Sequence, residues 1–345
     1  MNITDLLTFG ANNGISDFHI SAGVEPMVRK DGDMRRIDVP PLDQTQARDM
    51  IYDVMNDAQR KEYEKYLECD FAFAIPGVAR FRVNAYMQSR GAGAVIRTIP
   101  SEILSLEQVR APDIFKRFAM THKGICCVTG GTGSGKSTTL AAMMDYRNKT
   151  EFGHILTIED PVEFVHQCKN CLITQRELKR DTLSFGNALK SALRQDPNVI
   201  LIGELRDLDT IRLALSASET GHVVFGTLHT NSAAKTIDRI VEVFPTAEKP
   251  TIRTMLSESI QSVVSQSLLK KIGGGRCAAH EILVGTPALR NLIRENKVAQ
   301  MYSAMQTGQR FGMQTMDQVL EGLVKNKLVT KENAREHAMN KDKFA

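Results

Sequence analysis

Hydrophobic and polar positions change rhythm about a third of the way along the chain. In residues 1–98 the apolar segments are short and of mixed period. Residues 3–12 predict a helix, and 16–21 predict a strand. Residues 28–36 contain Asp31-Gly32, a hairpin turn signal. Residues 44–67 place Met50, Ile51, Val54 and Met55 at helical spacing. Phe71, Phe73 and Ile75 alternate, Pro76-Gly77 turns the chain, and Phe81, Val83 and Ala85 alternate again, as a hairpin does. Residues 94–98 predict a further strand. Together they predict a small α+β domain over 1–98 with no catalytic motif of its own.

Residues 99–112, with Pro100 and Pro112 and little periodicity, read as a linker. A helix near 113–121 follows. Apolar strand segments then recur at 125–129, 154–158, 198–202 and 222–227, separated by helical patterns. That alternation predicts an α/β domain over 113–345 with a largely parallel sheet. From about 252 the pattern turns helical. Ile252, Met255, Leu256, Ile260, Val263, Val264 and Leu268 form one apolar face, and Met316, Val319, Leu320 and Leu323 another. Residues 341–345 are expected to fray.

Composition narrows the class. The chain has 345 residues, enough for two domains at a prior of about 150 residues each. Lys and Arg number 44 against 40 Asp and Glu, a net charge of +4, too balanced to indicate a nucleic-acid binder. No apolar run approaches the roughly 18 residues of a spanning helix. The first residues lack the basic-then-apolar pattern of a signal peptide. Six cysteines do not make a disulfide framework, and adjacent Cys126 and Cys127 read as small core residues. The expected compartment is the reducing cytoplasm.

The chemistry begins at Gly130, Gly131, Thr132, Gly133, Ser134, Gly135, Lys136 and Ser137, the phosphate-loop pattern between an apolar strand and a helix opening at Thr138. Glycines let the backbone wrap anionic oxygens, and the helix N-terminus adds partial positive charge. In this motif Lys136 holds the β- and γ-phosphates and the Ser137 hydroxyl ligates Mg²⁺. ATP with Mg²⁺ is the implied cofactor. Val199, Ile200, Leu201 and Ile202 form a buried strand ending at Gly203-Glu204, where α/β sheets hold ligands. Glu204 is the candidate Mg²⁺ carboxylate. Glu163, in Glu159-Asp160-Pro161-Val162-Glu163, is the candidate for positioning the attacking water. Spacing leaves open which of Glu163 and Glu204 is the general base. His222 and His229 bracket the strand between them. Such a pair taken alone is commonly structural, and no Cys or acid stands beside it at zinc spacing.

These motifs, in this order, resemble the secretion-type ATPases that drive type II secretion and type IV pili. The matching stretches are the Gly-rich loop, residues 155–163, residues 202–207, and residues 219–230. Residues 80–84 and 288–295 extend the likeness towards the retraction branch of that family. The resemblance implies a PAS-like first domain and a RecA-like ATPase domain with a helical C-terminal extension. It implies a cytoplasmic homohexamer beneath an inner-membrane pilus platform protein. It further implies arginines arriving from a partner domain. Arg80 and Arg82, two apart on one strand, share a face opposite Phe81 and Val83, and Arg97 lies on the next strand. These three suit an arginine finger. His229 is implied as a sensor of the γ-phosphate, with His222 supporting it. Gly131 departs from the family's more frequent Pro, and Leu205 from a common Met.

Assembly and secretion motors usually carry a further N-terminal domain, whereas this chain starts at the PAS-like one. Residues 288–295 place Leu289, Leu292 and Ile293 on one helical face, a stretch that in the family matters for retraction. The expected function is therefore ATP-powered pilus retraction and twitching motility. An accessory retraction paralogue, which would also be a possible partner, is the alternative. An assembly or type II secretion ATPase is another. From other classes, a nucleic-acid-translocating ring lacks a basic stripe with interleaved aromatics, and a non-hydrolysing scaffold would not need these carboxylates.

Overall fold

Contacts divide the chain into two units, Met1–Glu102 and Ile103–Ala345. The computed structural model describes residues 2–99 and 102–345. Pro100 and Ser101 of the expected linker lie outside the described residues. The rest of that stretch is no free linker, because Leu106 is buried in the second unit's core beside Phe115 and Phe118.

The first unit runs α1 (Ile3–Asn12), β1 (Ile15–Ser21), β2 (Met27–Lys30), β3 (Asp33–Arg36), α2 (Gln44–Tyr52), α3 (Asp57–Tyr66), β4 (Glu68–Ile75), β5 (Ala79–Gln88) and β6 (Gly91–Ile99). Its sheet has the order β3-β2-β1-β6-β5-β4, antiparallel throughout. Alternation sends Phe18, Ile20, Phe81, Val83, Ala94 and Ile96 into the core. The helical stretch over 44–67 breaks in two. Asn56 accepts from the Gln59 amide while the Gln59 side chain accepts from the Asn56 amide, a capping box that starts a new helix.

The second unit begins with α4 (Ile114–Ala119), β7 (Gly124–Thr129), α5 (Lys136–Thr150), β8 (Gly153–Glu159), β9 (Cys171–Glu177), α6 (Phe185–Ala192), β10 (Val199–Ile202), α7 (Leu208–Glu219) and β11 (Val223–Leu228). It continues with α8 (Ala233–Glu242), α9 (Lys249–Ser259), β12 (Ile260–Lys270), β13 (Arg276–Val284), α10 (Pro287–Arg294), α11 (Val298–Thr307), α12 (Met316–Lys325) and α13 (Lys331–His337). The sheet order is β13-β12-β7-β11-β10-β8-β9. All neighbours are parallel except the β12–β13 hairpin. One core covers the face under α6 to α11 and another the face under α4 and α5, as a doubly wound sheet requires.

Two expectations are corrected here. The helix expected from 252 ends at Ser259, and β12 begins at Ile260. Between β7 and β13, β12 is buried on both faces, so its apolar positions do not alternate and imitate a helical face. The C-terminal residues do not fray, since Phe344 packs into a small core with Leu269, Leu320 and Val329. Strand β9, at the sheet edge, is an element the sequence pattern did not suggest. Cys126 and Cys127 are fully buried in β7, as expected, and Cys168 is exposed.

Candidate active site

Parallel strands bring their C-terminal ends to one edge, where open α/β sheets bind ligands. At that edge β7 runs into the phosphate loop, β8 into Glu159 and Glu163, β10 into Glu204, and β11 into His229. The loop owes its path to glycine. Gly130 has φ 143°, and a Cβ there would stand 2.3 Å from the Gln266 backbone oxygen. Gly135 caps α5 in the left-handed region, and no side chain caps that helix. The first-turn amides of α5 are therefore available to an anion.

Lys136 folds over the loop and donates to the carbonyls of Gly130 at 2.8 Å and Gly131 at 3.0 Å. Burial pulls its pKa down, against the opposing charges of Glu204 and Glu163. Both carboxylates lie near enough to act on the lysine's charge. The hydroxyls of Thr129 and Ser134 are buried here without a hydrogen-bond partner. A polyphosphate fits this cradle, because it supplies acceptors for the lysine, the open amides and the orphaned hydroxyls.

Glu204 accepts from Arg206 Nε at 2.6 Å and sits 3.4 Å from His229 Nε2. Burial works to raise its pKa, but the Arg206 hydrogen bond and charge, with His229, hold it below the ordinary value. Glu204 is thus a carboxylate, the form a hard divalent cation requires. Glu204, Arg206, His229 and Arg239 line a cleft of about 340 Å³. Glu159 differs from Glu163. It is pushed up by burial and accepts from Thr157 and Gln175, so it braces the loop that carries Glu163.

His222 does not join His229. The two lie at opposite ends of β11, roughly 20 Å apart at about 3.3 Å per residue. The His222 ring instead sits against the Ala217 carbonyl at the end of α7. Within one chain its ring does not reach His229.

In the first unit, Asp17, Arg97 and Arg82 are successive cross-strand partners on β1, β6 and β5. Arg97 donates to the Asp17 carboxylate at 2.8 Å, while Arg82 makes no ion pair among the described residues. Arg80 shares their face, two residues from Arg82.

Arg206, Arg239 and Gln266 were not singled out by sequence reasoning. Arg206 had a signal, since it lies two residues beyond Glu204. Gln266 had none while its strand read as helix. It reaches from β12, donates to the Ser134 carbonyl at 2.7 Å and accepts from the Thr139 hydroxyl at 2.8 Å.

The profile of the family described as "Type II/IV secretion system protein" matches residues 4–274. The chain belongs to this family. As a secretion-system ATPase it is 64% identical over 344 residues, all of both chains, to the type IV pilus retraction ATPase PilT of Pseudomonas aeruginosa. It is 41% identical to the type IV pilus ATPase PilU of the same organism, covering 98% of this chain and 89% of PilU. A crystal structure of the pilus retraction motor PilT with bound ADP superposes with TM-score 0.89 at 44% identity, covering 99% of this chain and 98% of the other. Among the described residues no helix is long and apolar enough to cross a membrane.

Proposed function

We propose that this secretion-family ATPase powers type IV pilus retraction, and that nucleotide binds at residues 130–138 facing Glu163, Glu204 and His229. The observation that supports the reading most is that β7, β8 and β10 end at one sheet edge and bring Lys136, Glu163 and Glu204 to it, in a chain that matches a retraction ATPase along its whole length. The higher identity to PilT than to PilU favours the principal motor over an accessory one.

Each residue has a role in this reading. The loop amides and Lys136 hold phosphate oxygens and align them. Ser137 and Glu204 would hold Mg²⁺, which neutralises charge on the phosphates. Glu163 orients the attacking water and accepts its proton. His229 reads the occupied site through Glu204. Arg82 and Arg97, supplied by a partner domain of a homohexamer, stabilise charge developing on the transferred group. Arg97 must leave Asp17 to do so, whereas Arg82 makes no ion pair among the described residues. Closure of the ring in the cytoplasm, under the inner-membrane pilus platform, then does mechanical work.

The test is a count of surface pili by electron microscopy in cells lacking the protein. Excess pili with lost surface motility are expected, and Lys136→Ala should fail to restore the normal number. Bald cells would assign the protein to assembly instead.

A further inference from the structure

A single buried carboxylate on β13 joins the end of the nucleotide edge to the C-terminal helices. Glu281 is 1% exposed. Its Oε1 accepts from the Ala233 amide at 2.6 Å and its Oε2 from the Met316 amide at 3.2 Å. Ala233 is the first residue of α8 and Met316 the first of α12. Ser232, at the N-cap of α8, caps no amide of its own helix. One side chain therefore accepts from the first amide of two helices from different parts of the fold, in α12 beside that helix's own Thr315–Gln318 capping box.

The first of these helices follows the sensor loop directly. His229 stands 3.4 Å from Glu204, and residues 229–232 span the gap to α8. Their far end is fixed by Glu281, and their middle by the Thr230–Thr236 hydroxyl contact at 2.7 Å. The second helix, α12, is held at its other carboxylate too. Asp317 is buried and accepts from Tyr302 of α11 and from the Met339 amide. Moving α12 therefore moves the C-terminal core around Phe344. The hairpin that carries Glu281 also registers it opposite Ser265, next to Gln266 of the phosphate-loop brace.

We infer that Glu281 is a positioning residue that couples the His229 loop to α12, so that the state of the nucleotide site and the placement of the C-terminal helices are set together. The inference rests on the nucleotide site proposed above. A carboxylate offers two acceptor oxygens to two helix amides. The amide of Glu281→Gln offers one, and turns an N–H donor towards the other helix. One of the two first amides, that of Ala233 or that of Met316, must then lose its acceptor.

The experiment is a double-mutant cycle on the full chain, reading kcat and KM for ATP. Glu281→Gln should lower kcat about fivefold or more with little change in KM. Combined with His229→Ala it should add nothing to the His229→Ala loss, because both act through one loop. Losses that multiply would overturn the inference. Amide exchange carries the same test in the wild-type protein should the variant fail to fold. Replacing ADP by a non-hydrolysable ATP analogue should change exchange in Met316–Lys325 together with Ala233–Glu242, and unchanged exchange in α12 would overturn the coupling. Absence of ATP turnover in the wild type would instead remove the proposed function, so the two failures are distinct.

Discussion

Gln266 donates its side-chain amide to the Ser134 carbonyl at 2.7 Å, from a strand that the chain reaches more than a hundred residues after the phosphate loop. The same amide group accepts from Thr139. It ties the loop to the first turns of α5, and the loop's shape is thus partly the property of β12.

Gln266→Leu should therefore leave a buried carbonyl and a buried hydroxyl unmatched, at a cost of about 2 kcal/mol or more. It should also weaken ATP binding by roughly tenfold, about 1.4 kcal/mol. Isothermal titration with the analogue and thermal melting read the two effects separately. Binding at wild-type strength would mean that the loop holds its own shape.

The proposed site separates water activation from nucleotide binding. Glu163→Gln should slow turnover by about 10²–10⁴-fold while nucleotide still binds. Lys136→Ala should lose binding itself. Single-turnover kinetics with labelled ATP distinguish the two, and a Glu163→Gln protein that hydrolyses normally would pass the base role to Glu204.

Arg82 and Arg97 face each other across β5 and β6, and Arg97 is tethered to Asp17. Each alanine variant should lower turnover of the assembled ring by up to about 10³-fold if both arginines serve as fingers. Asp17→Asn, which loosens the tether at 2.8 Å, should alter turnover only in the presence of Arg97. Steady-state rates of the single and paired variants check this, and normal rates in both alanine variants would refute the finger role.

Acid should destabilise the protein through His280. Burial pushes its imidazole down to about 4, and its ring lies edge-on to Phe115 at 5.0 Å. Below the ordinary value of 6.5 the unfolded chain binds this proton and the folded chain does not. The contribution, about 3 kcal/mol, is present above pH 6.5 and is lost as pH falls towards 4. His166, pushed by burial to about 4 as well, acts in the same direction. Chemical denaturation between pH 7.5 and 4.5 should show the decline, and His280→Leu should flatten it. An unchanged slope in that variant would place the titrating group elsewhere.

What the sequence made legible, and what it hid, follows from how tightly local geometry constrains residue type. The loop at 130–137 was legible because only glycine tolerates Gly130 against the Gln266 backbone. Glu204 was legible because four apolar residues and a terminal acid have few other uses. The β12–β13 hairpin was hidden because a strand buried on both faces has no period of two. Its remaining signals were the adjacent Val263-Val264 and the turn at Gly273, Gly274 and Gly275. With that hairpin went Gln266 and Glu281, whose partners lie 132 and 48 residues away. His222 stands apart from His229 for a different reason. Motif proximity in sequence measures nothing across a strand, whose two ends face opposite edges of the sheet.

The burial of Cys126 and Cys127 has a practical side. Their thiols are raised by burial, Cys126 to about 11, so they present no thiolate to an electrophile at neutral pH. Cys168 is the exposed thiol among the described residues, five positions after Glu163. A maleimide fluorophore should attach there first without any engineered cysteine, placing a light-emitting reporter on the segment that carries the acid proposed to position water.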